Sequence, residues 1–82
     1  MALEELLQRI VVDPRIMLGK PIIRGTRIPV ELIVRLLGEG RTTKELLEDY
    51  PQLTEEDIRA ALIYAARVLN NEDVFPATPS ET

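Results

Sequence analysis

EGRTTKELLEDYPQLTEEDIRAAL, residues 39–62, carries the punctuation that decides the fold. Gly40 marks the end of one helix, and Thr42 with Glu45 has the spacing of a capping box that opens the next. Leu46, Leu47 and Tyr50 give that helix an inward face, and Pro51 stops it. Thr54 then caps a third helix whose first turn holds Glu55, Glu56 and Asp57, where the helix dipole favours acids. Working outward, Val30, Ile33, Val34 and Leu37 follow the i, i+3, i+4, i+7 pattern of an earlier helix, ended by Gly38 and Gly40. On the far side Ile58, Ala61, Leu62, Ala65 and Leu69 are expected to line one face, with Asn70 and Asn71 closing the run. The reading is three helices, over residues 30–38, 42–50 and 54–70, joined by short turns marked by glycine or proline.

Further toward the N-terminus the period changes. Leu3, Leu6, Leu7 and Ile10 have helical spacing. Ile10-Val11-Val12 is β-branched and closed by Asp13-Pro14, which predicts a strand end and a turn. Met17 to Pro21 reads as a loop. IIRGTRIPV, residues 22–30, has apolar ends around Gly25, which accepts a positive φ; it predicts a tight β-hairpin or a kinked extended segment. Pro29 suits a sheet edge and not a central strand. The fold class is therefore mainly α with a short N-terminal β element or hairpin. Residues 1–73 form one domain, and residues 74–82, with two prolines and few apolar groups, are expected to be a flexible tail.

Composition narrows the chemistry. The 82 residues include no Cys and no His. That excludes disulfides, thiolate nucleophiles, an imidazole base near neutral pH and the usual zinc sites. A non-catalytic protein with no metal and no cofactor is expected. No apolar run reaches the ~18 residues of a membrane span, and MALEELLQRI lacks the basic start of a secretory signal, so a cytoplasmic protein that does not enter membranes is expected. A chain this short is only marginally stable alone, and without staples a homodimer is the expected remedy. VELIVRLL is apolar on nearly every side, and Ile63 and Tyr64 lie off the expected core stripe. Leu32, Leu36, Ile63 and Tyr64 are therefore the candidate dimer contacts.

Charge divides the chain. Residues 1–41 carry seven basic against five acidic groups, and residues 42–82 carry three against nine, for a net charge of −4. The three-helix spacing matches a helix-turn-helix, and it matches a plain three-helix bundle equally well. Lys20, Arg24, Arg27, Arg41 and Lys44 are the candidate contacts to nucleic acid or to a partner. Arg24 and Arg27 bracket the hairpin turn, and Arg41 and Lys44 stand at the start of the middle helix. Each also reads as ordinary surface solvation. Glu55, Glu56 and Asp57 would repel phosphates at the very turn where a recognition helix meets bases, and their bland reading is dipole capping. Gly19-Lys20 lacks the upstream glycine of a P-loop, and Gly38-Glu39-Gly40 lacks the third glycine of a dinucleotide loop.

RIVVDP at 9–14, GKPIIRGTRIPVE at 19–31, GEGRTTKELLEDYPQLTEEDI at 38–58 and the RAALIYAA that follows resemble the family called domain of unknown function 433. The resemblance implies a homeodomain-like or winged helix-turn-helix fold. It also implies an antitoxin-like, DNA-binding regulator that neutralises a PIN-like ribonuclease toxin. It supplies no established contact residues. The alternative function is a protein–protein interaction module with a helix-turn-helix fold and no DNA binding.

Overall fold

The computed structural model of the chain describes residues 2–71. The elements run α1 (Leu3–Leu7), β1 (Ile10–Val11), β2 (Ile22–Ile23), α2 (Val30–Gly38), α3 (Thr43–Asp49) and α4 (Glu55–Asn71). The described residues thus form four helices and one short antiparallel two-stranded sheet. The expected tail at 74–82 lies outside the described residues.

Each boundary has a local cause. Pro29 precedes α2 and offers no side-chain cap, so the Val30 N–H donates instead to the Pro21 carbonyl at 2.9 Å. At the other end Gly40 takes φ 100°, the Gly40 N–H reaches the Leu37 carbonyl and the Arg41 N–H the Leu36 carbonyl. That pair of bonds is a Schellman stop, which needs a residue at positive φ. α3 opens on the expected capping box: the Glu45 N–H donates to Thr42 Oγ1, and the Thr42 N–H donates to Glu45 Oε1.

The sheet pairs Ile10 with Ile23 and Val11 with Ile22. Because side chains alternate, Ile10 and Ile23 face the helical core while Val11 and Ile22 face away from it. Beyond β2 the expected hairpin forms. Gly25 sits at φ 80° in its turn, the Ile23 N–H donates to the Ile28 carbonyl, and Ile22 bridges Pro29. Thr26 Oγ1 donates to the Ile23 carbonyl and accepts from the Ile28 N–H, so one hydroxyl clamps both sides of the turn. Pro29, with no N–H to give, stands on the outer edge as expected.

The core joins Ile23, Ile33, Leu46, Leu53, Ile58 and Ala61, with Ile28 and Val30 closing it. Burying each Leu- or Ile-sized group contributes roughly 1.5–3 kcal/mol. α4 departs from the expected stripe. Leu62 and Leu69 point outward, 43% and 61% exposed, while Asp57 and Ala60 are buried. The cause is that α4 is covered on two flanks, by α2 and by α1. The second cover turns the buried arc away from Leu62 and Leu69. α1 is shorter than its pattern suggested, since Ile10 belongs to β1 rather than to the helix. The loop at residues 17–21 contains a left-handed turn: Met17, Leu18 and Gly19 have φ of 48°, 58° and 81°.

Candidate functional site

The candidate basic residues do not gather into one free patch. Arg24 stays exposed but bonds the chain itself: its backbone N–H donates to the Arg9 carbonyl at 2.7 Å and its Nε to the Gln8 carbonyl at 2.8 Å. It therefore stitches the hairpin to the end of α1. Lys20 lies 3.6 Å from Glu31. Arg41 bonds Asp49 and lies 3.7 Å from Glu45; hydrogen bonding to Asp49 raises the Arg41 pKa further. Arg27 and Lys44 are exposed and make no ion pair among the described residues.

Of the acidic start of α4, Asp57 is part of the scaffold. Asp57 is 6% exposed and bonds Arg9 at 3.1 Å across 48 positions of sequence. It also accepts from the Thr54 N–H, while its own N–H donates to Thr54 Oγ1. The sequence signal for this box was available, since Thr54 and Asp57 stand three apart. Arg9 carries no local mark that reveals its partner. At α3 the hydrogen bonds from the Thr42 N–H and hydroxyl hold the Glu45 carboxyl below the usual glutamate range.

Two concave surfaces stand out among the described residues. A groove of about 500 Å³ runs between α2 and α4, walled by Pro21, Val34, Tyr64, Ala65, Val68 and Leu69 and rimmed by Lys20, Glu31 and Arg35. A cleft of about 650 Å³ lies under the hairpin, with Val11, Ile16 and Ile22 as its floor and Arg27 on its rim. Of the candidate dimer contacts, Leu32, Leu36 and Tyr64 are half-buried against the chain's own core, and Ile63 is half-buried on α4. The exposed apolar groups of α4 are Leu62, Ala66 and Leu69, the last of which also lines the α2–α4 groove. No helix among the described residues is long and apolar enough to cross a membrane.

These features define a small, mainly helical domain with a hairpin-stapled N-terminal segment. Residues 10–65 match the family described as Protein of unknown function (DUF433), and the chain belongs to that family. A crystal structure of a DUF433 member from Anabaena variabilis, at 2.00 Å resolution, is 39% identical with a TM-score of 0.73. The match covers 82% of this chain and 66% of that one. An uncharacterized protein of Sinorhizobium fredii, y4eO, is 42% identical over 53 residues, which is 65% of this chain and 24% of that protein. An uncharacterized protein of Archaeoglobus fulgidus is 57% identical over 30 residues, covering 37% of this chain and 83% of that one. The chain thus spans about a quarter of the length of the Sinorhizobium protein.

Proposed function

We propose that this chain is a non-catalytic protein–protein interaction module, with α2, α3 and α4 in a helix-turn-helix-like arrangement that is used for protein contact. One observation carries the reading. The longest helix presents Leu62, Ala66 and Leu69 outward, at the i, i+4, i+7 spacing that a partner helix recognises. The same helix offers Glu55 and Glu56 where a DNA-reading helix would meet phosphates, and Lys20, Arg24 and Arg41 are engaged within the fold. A PIN-like ribonuclease, the partner that the family resemblance implies, is the first protein to test.

A second reading, the antitoxin-like DNA-binding regulator, draws on Arg27 and Lys44. Anisotropy titrations with duplex DNA separate the two. The interaction module binds no DNA at low salt, whereas its capture of a co-expressed PIN-like ribonuclease is abolished in Leu62→Asp with Ala66→Asp. The regulator binds DNA with a log K that falls as log salt rises. In Arg27→Ala with Lys44→Ala that slope flattens by about 0.9 for each phosphate no longer neutralised. That pair of results overturns the module in favour of the regulator.

A further inference from the structure

The two edges of the sheet are finished differently. Beyond β2 stands Pro29, which bridges Ile22 and has no N–H to offer a further strand. The β1 edge has no such guard. Ile10 lies opposite Ile23, and the Arg24 N–H donates to the Arg9 carbonyl. In an antiparallel ladder that geometry turns the amide groups of Val11 toward β2 and those of Ile10 and Val12 the other way. Among the described residues, neither the N–H nor the carbonyl of Ile10 or Val12 has a backbone partner. Val12 is also 54% exposed. Open donors and acceptors along β-branched residues are a template for another strand.

The residues around Val11 suit a second copy of themselves. With a two-fold axis at Val11, antiparallel pairing sets Ile10 against the partner's Val12, and Val12 against the partner's Ile10. Each of those pairs exchanges both N–H···O bonds, so every open donor and acceptor is used. Val11 meets the partner's Val11 at the close spacing of a non-hydrogen-bonded pair, and the partner's Ile10 stands beside the exposed Val12. One step further out, Arg9 lies across from the partner's Asp13. Each already has a bond within its own chain, to Asp57 and to Arg15, so charge permits the register without driving it. The neighbouring registers fail. An axis at Val12 sets Ile10 against Pro14, which has no N–H. An axis at Ile10 sets Val12 against Gln8, whose backbone is helical at φ −68° and ψ −12°. A shift by a single residue turns bonding groups against non-bonding ones.

We propose that the chain forms a two-fold homodimer by pairing β1 with β1 of a second copy, joining the two sheets into one of four strands. Residues 10–12 do not line the α2–α4 groove, and the dimer does not rest on the partner-binding reading.

Sedimentation equilibrium and amide hydrogen exchange on the full chain test it. The expected mass at tens of micromolar is twice the 9.3 kDa of one chain. The Ile10 and Val12 amides are protected in the dimer and lose that protection on dilution, while Val11, bonded to β2 in its own chain, keeps its own. Val12→Pro deletes an N–H that the single chain leaves unbonded, at an edge position where proline is tolerated. Helical circular dichroism is therefore kept while the dimer dissociation constant rises at least tenfold. Val12→Lys charges the same exposed edge and has the same effect. A single-chain mass for the parent overturns the proposal, and protection of Ile10 and Val12 that then appears only on adding a PIN-like ribonuclease gives the edge to that protein instead. A two-chain mass that both variants leave unchanged overturns it equally, as does one in which the Ile10 and Val12 amides exchange freely.

Discussion

Helices α3 and α4 open with the same device, a threonine followed three residues later by an acid, and use it differently. At α3, Thr42 and Glu45 exchange hydrogen bonds in solvent and touch only neighbours in sequence. At α4, Thr54 and Asp57 make the same exchange under cover, and Asp57 also holds Arg9 from the opposite end of the described chain. The local chemistry is shared. What differs is burial, which turns a cap into a tertiary clamp. An acid in a helix's first turn is legible from sequence, but its reach is not.

The contrast breaks most visibly at the clamp. Removing one partner of a buried charge pair costs about 3–5 kcal/mol. The Arg9 side chain is 33% exposed, so water recovers part of that loss. Asp57→Ala is expected to lower unfolding free energy by about 2–3 kcal/mol in urea titrations, a large share of what so small a domain has. A loss below about 1 kcal/mol would reduce the clamp to a plain cap.

Neutralising both ends is milder. Arg9→Met with Asp57→Asn keeps an acceptor for the Thr54 N–H and strands no charge, so the double variant is expected to lose about 1 kcal/mol, less than the two single changes added together. A thermodynamic cycle over the four proteins measures the coupling. The same cycle on Thr42 and Glu45 is expected to show only short-range coupling. Thr42→Ala alone should cost about 1 kcal/mol, the ordinary value of a helix cap.

The smallest effect is the response to acid. The Glu45 carboxyl lies below its ordinary range in the folded chain because the Thr42 N–H and hydroxyl donate to it. The folded state therefore binds fewer protons than the unfolded one in that interval. The stabilisation is complete above the ordinary glutamate range and is lost as pH falls through the lower folded value. Glu45→Gln is expected to lower stability slightly near pH 7, where the ionised carboxylate contributes, and to make the acid-side decline shallower. Asp13, held low by its side-chain bond from Arg15, keeps part of that slope. An identical decline in parent and variant would remove Glu45 from the account.

Which parts are legible follows from what marks them. Gly40, Thr42, Pro51 and Thr54 are strong local signals, and they place α2, α3 and α4 to within a residue or so. Gly25, Thr26 and Pro29 mark the hairpin equally well. The rotation of α4 is not legible, because Ala60 gives little hint of being core and Leu62 and Leu69 look like core when they are not. The left-handed turn is hidden for a related reason. Positive φ is announced by Gly or Asn, and only Gly19 of its three residues belongs to that set. The basic candidates stand out by charge and position, and neither property reports that Arg24 bonds carbonyls of the chain itself.

The bond between Arg9 and Asp57 also sets an order of events. During synthesis the segment before residue 12 leaves the ribosome well ahead of α4; β2 and Arg24 can hold its last residues early, yet Asp57 for Arg9 and Arg67 for Glu4 lie far downstream of residues 3–9. Helix α1 must wait, unprotected, while the intervening helices are made. The hairpin and α2 gather around nearby contacts first, and closing the longer loop comes afterward. Newly made chains should accordingly be nicked by proteases near residues 3–9 until α4 has emerged, and a translation pause between residues 60 and 70 should lengthen that window.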